Sequence, residues 1–275
     1  MYKLKALMLA VIALAMTACA HNTPLQWMGF HPDYEGSSYE LKGKKALIIT
    51  TSHDTLGEGE DAEPTGVASS EVTHPYYEFQ DNGLHVDLAS IKGGKIPVDP
   101  LTTKFPVISP HDERAYEDPT YLQKINHSLK IDDIDFAKYD VVFLAGGWGA
   151  AYDLGFSDIL GKKMSQAYAA GRVVGGVCHG PLGLLKARNS KGESLIKGRK
   201  LTAVTDKQVK ELGIETTPLH PETELRKAGV IFESKTAFKD IFATHVVVDG
   251  TIVTGQNQNS GIETAHKMMA IIAKQ

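Results

Sequence analysis

The chain has 275 residues, 29 Lys+Arg against 33 Asp+Glu, a formal charge of −4 and 42% hydrophobic residues. This ordinary globular balance excludes a disordered chain, a collagen and a many-span membrane protein. The mildly acidic charge argues against a non-specific nucleic-acid binder, because nothing offsets phosphate repulsion.

The chain opens with Lys3 and Lys5 ahead of an apolar run from Ala6 to Met16. That run has the length of a signal h-region and is too short to span a bilayer. It ends in Met16-Thr17-Ala18-Cys19, which resembles a bacterial lipobox. The reading is a lipoprotein-type signal peptide over 1–18, lipidation of Cys19, export to the bacterial periplasm and a membrane contact through the lipid. A plain secretory signal is the alternative. Residues 19–43 are polar and irregular and read as a tether and lead-in.

From Lys45 the pattern changes. Short apolar, β-branched runs at 46–51, 84–89, 141–145, 173–177, 201–204 and 246–248 read as buried strands. Helical patterns lie between them at 66–81, 120–130, 157–170, 181–187, 221–228 and 261–273. The alternation predicts one α/β domain over 44–275, a mostly parallel sheet with helices on both faces. Asp249-Gly250 between Val246-Val247-Val248 and Thr251-Ile252-Val253 predicts a hairpin. The Pro-rich segment 93–118 reads as a lid or wall. The acidic run from Gly57 to Glu63 lacks a phosphate cradle's glycine spacing and basic residue, so it reads as a solvated loop near the site mouth.

The chemistry concentrates in Val173-Val174-Gly175-Gly176-Val177-Cys178-His179-Gly180-Pro181. A buried strand runs straight into Cys178, and small residues then permit a sharp turn into an apolar helix. Such a nucleophile elbow lifts one side chain above the carboxyl edge of the sheet, where open α/β sheets bind ligands. With Cys19 lipidated, Cys178 has no partner for a disulfide. A helix N-terminus aimed at the sulfur favours thiolate, so a thiol pKa below the free value of about 8.5 is expected.

Gly176 to Pro181 resembles the nucleophile motif of the ThiJ/PfpI superfamily, within the class I glutamine-amidotransferase-like, flavodoxin-like three-layer fold. The branch it is most similar to contains glyoxalase III enzymes and stress-induced deglycase/chaperone proteins. Thr65 to Pro75, Ala145 to Leu154, and Val246 to Asn257 resemble further motifs of that branch. The resemblance implies Cys178 as nucleophile, His179 as the neighbouring acid/base and Glu71 as the carboxyl facing the sulfur. It implies no cofactor, and relatives are often homodimers. A Glu buried near a thiolate should have a raised pKa. Gly146 and Gly147 suit an oxyanion site, because glycine lets backbone N–H groups approach a developing charge. Trp148 and His74 read as pocket-wall residues.

Two positions depart from the branch's pattern. Trp148 stands where a His is common. Lys207, Gln208 and Val209 stand where a carboxylate usually orients the histidine; Asp206 and Glu211 are the nearby acids. No pair of histidines has metal-ligand spacing, so the metal expectation is none. The leading functional expectation is an exported, cysteine-dependent enzyme on small reactive carbonyls, converting methylglyoxal to lactate. A cysteine amidase or peptidase, and a non-enzymatic stress chaperone or thiol sensor, are the alternatives.

Overall fold

The computed structural model describes residues 29–57, 59 and 61–275. The signal segment 1–18, Cys19, the first part of the tether, and Glu58 and Glu60 of the acidic run lie outside the described residues. One compact unit runs from Tyr34 to Gln275. Packing starts ahead of residue 44: Leu41 is buried, and the Tyr39 and Leu41 amides donate to Asn82.

The elements follow the chain as β1 (Lys45–Thr50), β2 (Thr55–Leu56), β3 (Glu63–Pro64), α1 (Ser69–Asp81) and β4 (His85–Ser90). Then come α2 (Pro110–Glu117), α3 (Pro119–Asn126), β5 (Leu129–Lys130), β6 (Val141–Leu144), α4 (Ala150–Asp153), α5 (Asp158–Ala169) and β7 (Val173–Val177). The last group is β8 (Lys200–Leu201), α6 (Asp206–Glu211), α7 (Pro221–Lys227), β9 (Ile231–Phe232), β10 (Val246–Asp249), β11 (Ile252–Gly255) and α8 (Gly261–Ile272). The main sheet has seven strands in the order β10-β11-β7-β6-β1-β4-β5. All pairings are parallel except β10 with β11, the expected hairpin, whose Gly250 sits at φ 63°.

Both faces of this sheet are covered, which is why its strands read as continuous apolar runs instead of alternating ones. Side chains alternate between faces, so Ala46 and Ile48 join one core with α1 and α8. Leu47 and Ile49 join the other, with Leu160, Met164 and Ala167 of α5. The expected three-layer α/β architecture is present.

Four local expectations need correction. Residues 201–204 do not extend the main sheet; β8 pairs with β9 in a separate two-stranded unit. The helix expected at 181–187 is a short 3-10 turn, Gly180–Leu184. The segment 93–118 contains helix α2, started by a capping box between Ser109 and Asp112 with Pro110 in the first turn. The helix expected at 120–130 stops at Asn126, and Leu129–Lys130 form the edge strand β5.

Candidate active site

Strand β7 ends at Val177, and Cys178 follows with φ 58°. A non-glycine residue in the left-handed region is strained by about 1–3 kcal/mol, and that strain makes the chain turn sharply enough to present one side chain. The turn packs against the end of β6. A Cβ added at Gly180 would lie 2.1 Å from the Leu144 carbonyl oxygen, so this close backbone approach demands glycine. Cys178 itself is 6% exposed and His179 is fully buried.

The Glu71 side chain comes from the first turn of α1. Its carboxyl is within hydrogen-bonding reach of the Cys178 sulfur, and its Oε2 accepts the Gly146 amide at 2.8 Å. Burial pushes the Glu71 pKa up to about 8, against the hydrogen bonds from Cys178 and the Gly146 and Gly147 amides. Glu71 therefore holds its proton at neutral pH. The β6–α4 turn is glycine because it lies against α1. Gly147 has φ 80°, and a Cβ there would meet the Ala68 nitrogen at 2.3 Å.

The sulfur's environment corrects the expectation of a low thiol pKa. Burial first, then the Glu71 charge, push Cys178 up; the Gly147 and His179 amides work the other way. The Glu71 contribution acts only while that carboxyl is ionised. The short 3-10 turn replaces the helix whose dipole was expected to help. His179 Nδ1 lies 3.4 Å from the sulfur. Burial, with the charge of His220 second, holds the His179 pKa down to about 3, so the ring is neutral.

A cavity of about 280 Å³ opens over this group. Cys178, His179, Glu71, Gly147 and Trp148 all line it. Two expected residues take other roles. The Gly146 amide is occupied by Glu71, while the Gly147 N–H is shared between the Glu71 carboxyl and the sulfur. His74 does not line the cavity; it is buried where α1 meets α8, edge-on to His111 at 5.0 Å and close to Gly261. Neither nearby acid reaches His179. Asp206 accepts from Thr223, while Glu211 accepts from the Asp240 amide and pairs with Lys207.

Residues missed in the sequence complete the wall, notably Leu101, Val107, Gln208, Leu212 and Ile241. Leu101 and Val107 belong to the Pro-rich segment expected to form a wall. Gln208 stands among the positions where a carboxylate was looked for. Its Oε1 and the His179 Nε2 are both buried with no hydrogen-bond partner among the described residues. The side chain is brought there by the segment after β8: the Val204 amide donates to the Cys178 carbonyl, and Thr205 caps α6.

Residues 63–271 match the DJ-1/PfpI family. Glyoxalase 3 of Candida albicans is 29% identical over 240 residues, covering 82% of this chain and 97% of its own. The glutathione-independent glyoxalase HSP31 of Saccharomyces cerevisiae is 28% identical, covering 81% and 95%. Among solved structures, glyoxalase III from Candida albicans superposes with a TM-score of 0.75 at 28% identity, covering 83% and 97%. The Rapid Encystment Protein 24 kDa of Francisella tularensis gives 0.76 at 28% identity, covering 83% and 99%. The chain belongs to the DJ-1/PfpI family, and within it to the glyoxalase III-like branch.

Proposed function

We propose that this chain is an exported, cysteine-dependent, glutathione-independent glyoxalase that converts 2-oxoaldehydes such as methylglyoxal to 2-hydroxy acids. The observation that carries the reading is the contact between Cys178, strained at the end of β7, and a Glu71 whose pKa sits near 8. A proton carrier works best when its pKa lies close to the working pH. The names of the relatives point the same way.

In this reading the ionised fraction of Glu71 takes the thiol proton as sulfur bonds to the aldehyde carbon, and the carbonyl oxygen gains that proton. The product is a hemithioacetal. Glu71 then removes the C–H proton, giving an enediolate; the hydroxyl proton on the first carbon's oxygen passes to the oxygen of the neighbouring carbon, and Glu71 returns its proton to that carbon. This leaves a thioester of the hydroxy acid. Water cleaves the C–S bond, releases the acid and restores the thiol. The sum is one aldehyde and one water to one hydroxy acid, with no oxidant or reductant. The Gly147 N–H faces the sulfur and supports charge that develops there.

Lactate release from methylglyoxal by wild type and Cys178→Ala tests the reading. Lactate from wild type alone supports it; equal rates, or none in wild type, overturn it. The thiol-sensor alternative gains little support from a thiol that is 6% exposed and raised in pKa, because oxidation follows thiolate character and access. Export, lipidation of Cys19 and self-association are part of the proposal. Radiolabelled palmitate incorporated by wild type and absent from Cys19→Ala is the expected result for the anchor. Sedimentation of the chain as a monomer would remove the dimer.

A further inference from the structure

The cavity is more specific than a methyl-bearing aldehyde requires. Its volume of about 280 Å³ lies just below the ~300–1,000 Å³ range of small-molecule sites. Trp148, Leu101, Val107, Leu212 and Ile241 supply an apolar wall. Trp148 packs on the core shared by α1 and α8, so its ring is held in place. Leu101 and Leu212 are 58% and 38% exposed and carry apolar surface at the rim. A methyl substituent leaves most of this surface wet, whereas a larger apolar group removes it from water.

Charge narrows the choice further. Among the described residues lining the cavity, none is Lys or Arg, and Asp99 and Glu71 are its carboxyls. Lys207, beside Gln208 in sequence, turns away to Asp240, Thr236 and the Ala237 carbonyl. An anionic substituent would meet apolar carbon and the Asp99 carboxylate without a compensating cation.

We infer that the preferred substrate is an uncharged 2-oxoaldehyde with an aryl or branched-alkyl substituent, and that Trp148 sets this preference. The inference rests on the glyoxalase reading and uses its bond changes without alteration: the thiol adds to the aldehyde, the proton moves between the two carbons, and water releases the acid.

The test compares kcat/KM for methylglyoxal, phenylglyoxal and 4-carboxyphenylglyoxal, the last pair differing by one charged group. Phenylglyoxal should exceed methylglyoxal by about tenfold or more, the expected return for burying a ring in place of a methyl. The carboxylated analogue should fall about tenfold or more below phenylglyoxal. Trp148→Ala should lower the phenylglyoxal-to-methylglyoxal ratio about tenfold. Leu212→Lys, on the exposed rim, should raise the ratio of the carboxylated to the plain ring compound several-fold. A wild type that converts methylglyoxal as well as phenylglyoxal overturns the inference alone. So does a ratio unmoved in both variants. A wild type that converts none of the three removes the glyoxalase reading, and the inference with it.

Discussion

Glu71 and Cys178 occupy one buried corner, and the charge on one decides the proton of the other. Ionised Glu71 raises the thiol both by its charge and by accepting the thiol's hydrogen bond. Glu71→Gln removes that charge and offers an N–H donor to the thiolate. The iodoacetamide alkylation rate of wild-type Cys178 should therefore rise only above the free-thiol value of about 8.5, while in Glu71→Gln its midpoint should move down by about one pH unit or more. A wild-type thiol alkylated as fast at pH 6 as at pH 9 would refute this. Gln208 offers a second prediction. Gln208→Glu adds a carboxyl to the wall of the cavity that His179 also lines, so the imidazole, whose Nε2 has no partner among the described residues, should titrate above its present value of about 3, read from its ring proton shifts. An unmoved titration would show that the two side chains do not communicate. Cys178 and His179 were legible in the strand-to-turn motif that carries them, whereas Glu71 was legible only through the resemblance of Thr65 to Pro75 to the branch's motif. The thiol's pKa was not, because it depends on burial contributed by α1, β6 and the 200–212 segment together.

At the level of elements, the β7–Cys178 turn is held by backbone packing on the end of β6. Gly180→Ala would put a methyl 2.1 Å from the Leu144 carbonyl, a group that cannot swing aside as a side chain can. The expected result is about 1–3 kcal/mol of lost stability in urea unfolding, with activity lost in the fraction that stays folded. Unchanged unfolding and turnover would show the turn to be more tolerant than its spacing indicates. The same packing explains which elements could be read in advance. The parallel strands and α1, α5 and α8 bury long apolar patterns and were evident from residue order. β8 and β9 have two residues each, too few for a period. The turn after Cys178 carries an apolar helical pattern, yet Pro181 and two glycines favour a 3-10 form. Helix α2 did leave a signal: Ser109-Pro110-His111-Asp112 combines a cap, a first-turn proline and a reciprocal acid, but so short a pattern is hidden in a Pro-rich stretch.

Across the whole molecule, the buried site shapes stability against pH. Burial holds His179 near 3 against 6.5 for a free imidazole, so its contribution is full above pH 6.5 and is lost as pH falls through 3. Burial raises Glu78, but hydrogen bonds from His111 and His266 overcome it and hold the carboxyl at about 2. That contribution is full above 4.5 and is lost as pH falls through 2. Burial raises Asp153 from 3.8 to about 6 against hydrogen bonds from Ser52 and Thr51, and stability drains from it as pH rises through that span. Glu71 behaves likewise over the span from 4.5 to about 8. Between pH 6.5 and 8, Glu71 is thus the one of these four groups that is ionised in the unfolded chain and protonated in the folded one. Each pH unit in that window should cost about 1.4 kcal/mol, so wild type should lose about 2 kcal/mol across it. Glu71→Gln keeps an oxygen to accept the Gly146 amide and has no proton to lose, so its unfolding free energy should stay level there and exceed wild type most at pH 8. Urea unfolding of both proteins at pH 6.5 and 8 measures the slopes. Parallel slopes, or a wild type equally stable at both, would mean that Glu71 already ionises in the folded state below this window, and would remove the match between its pKa and the working pH on which the proposed chemistry draws.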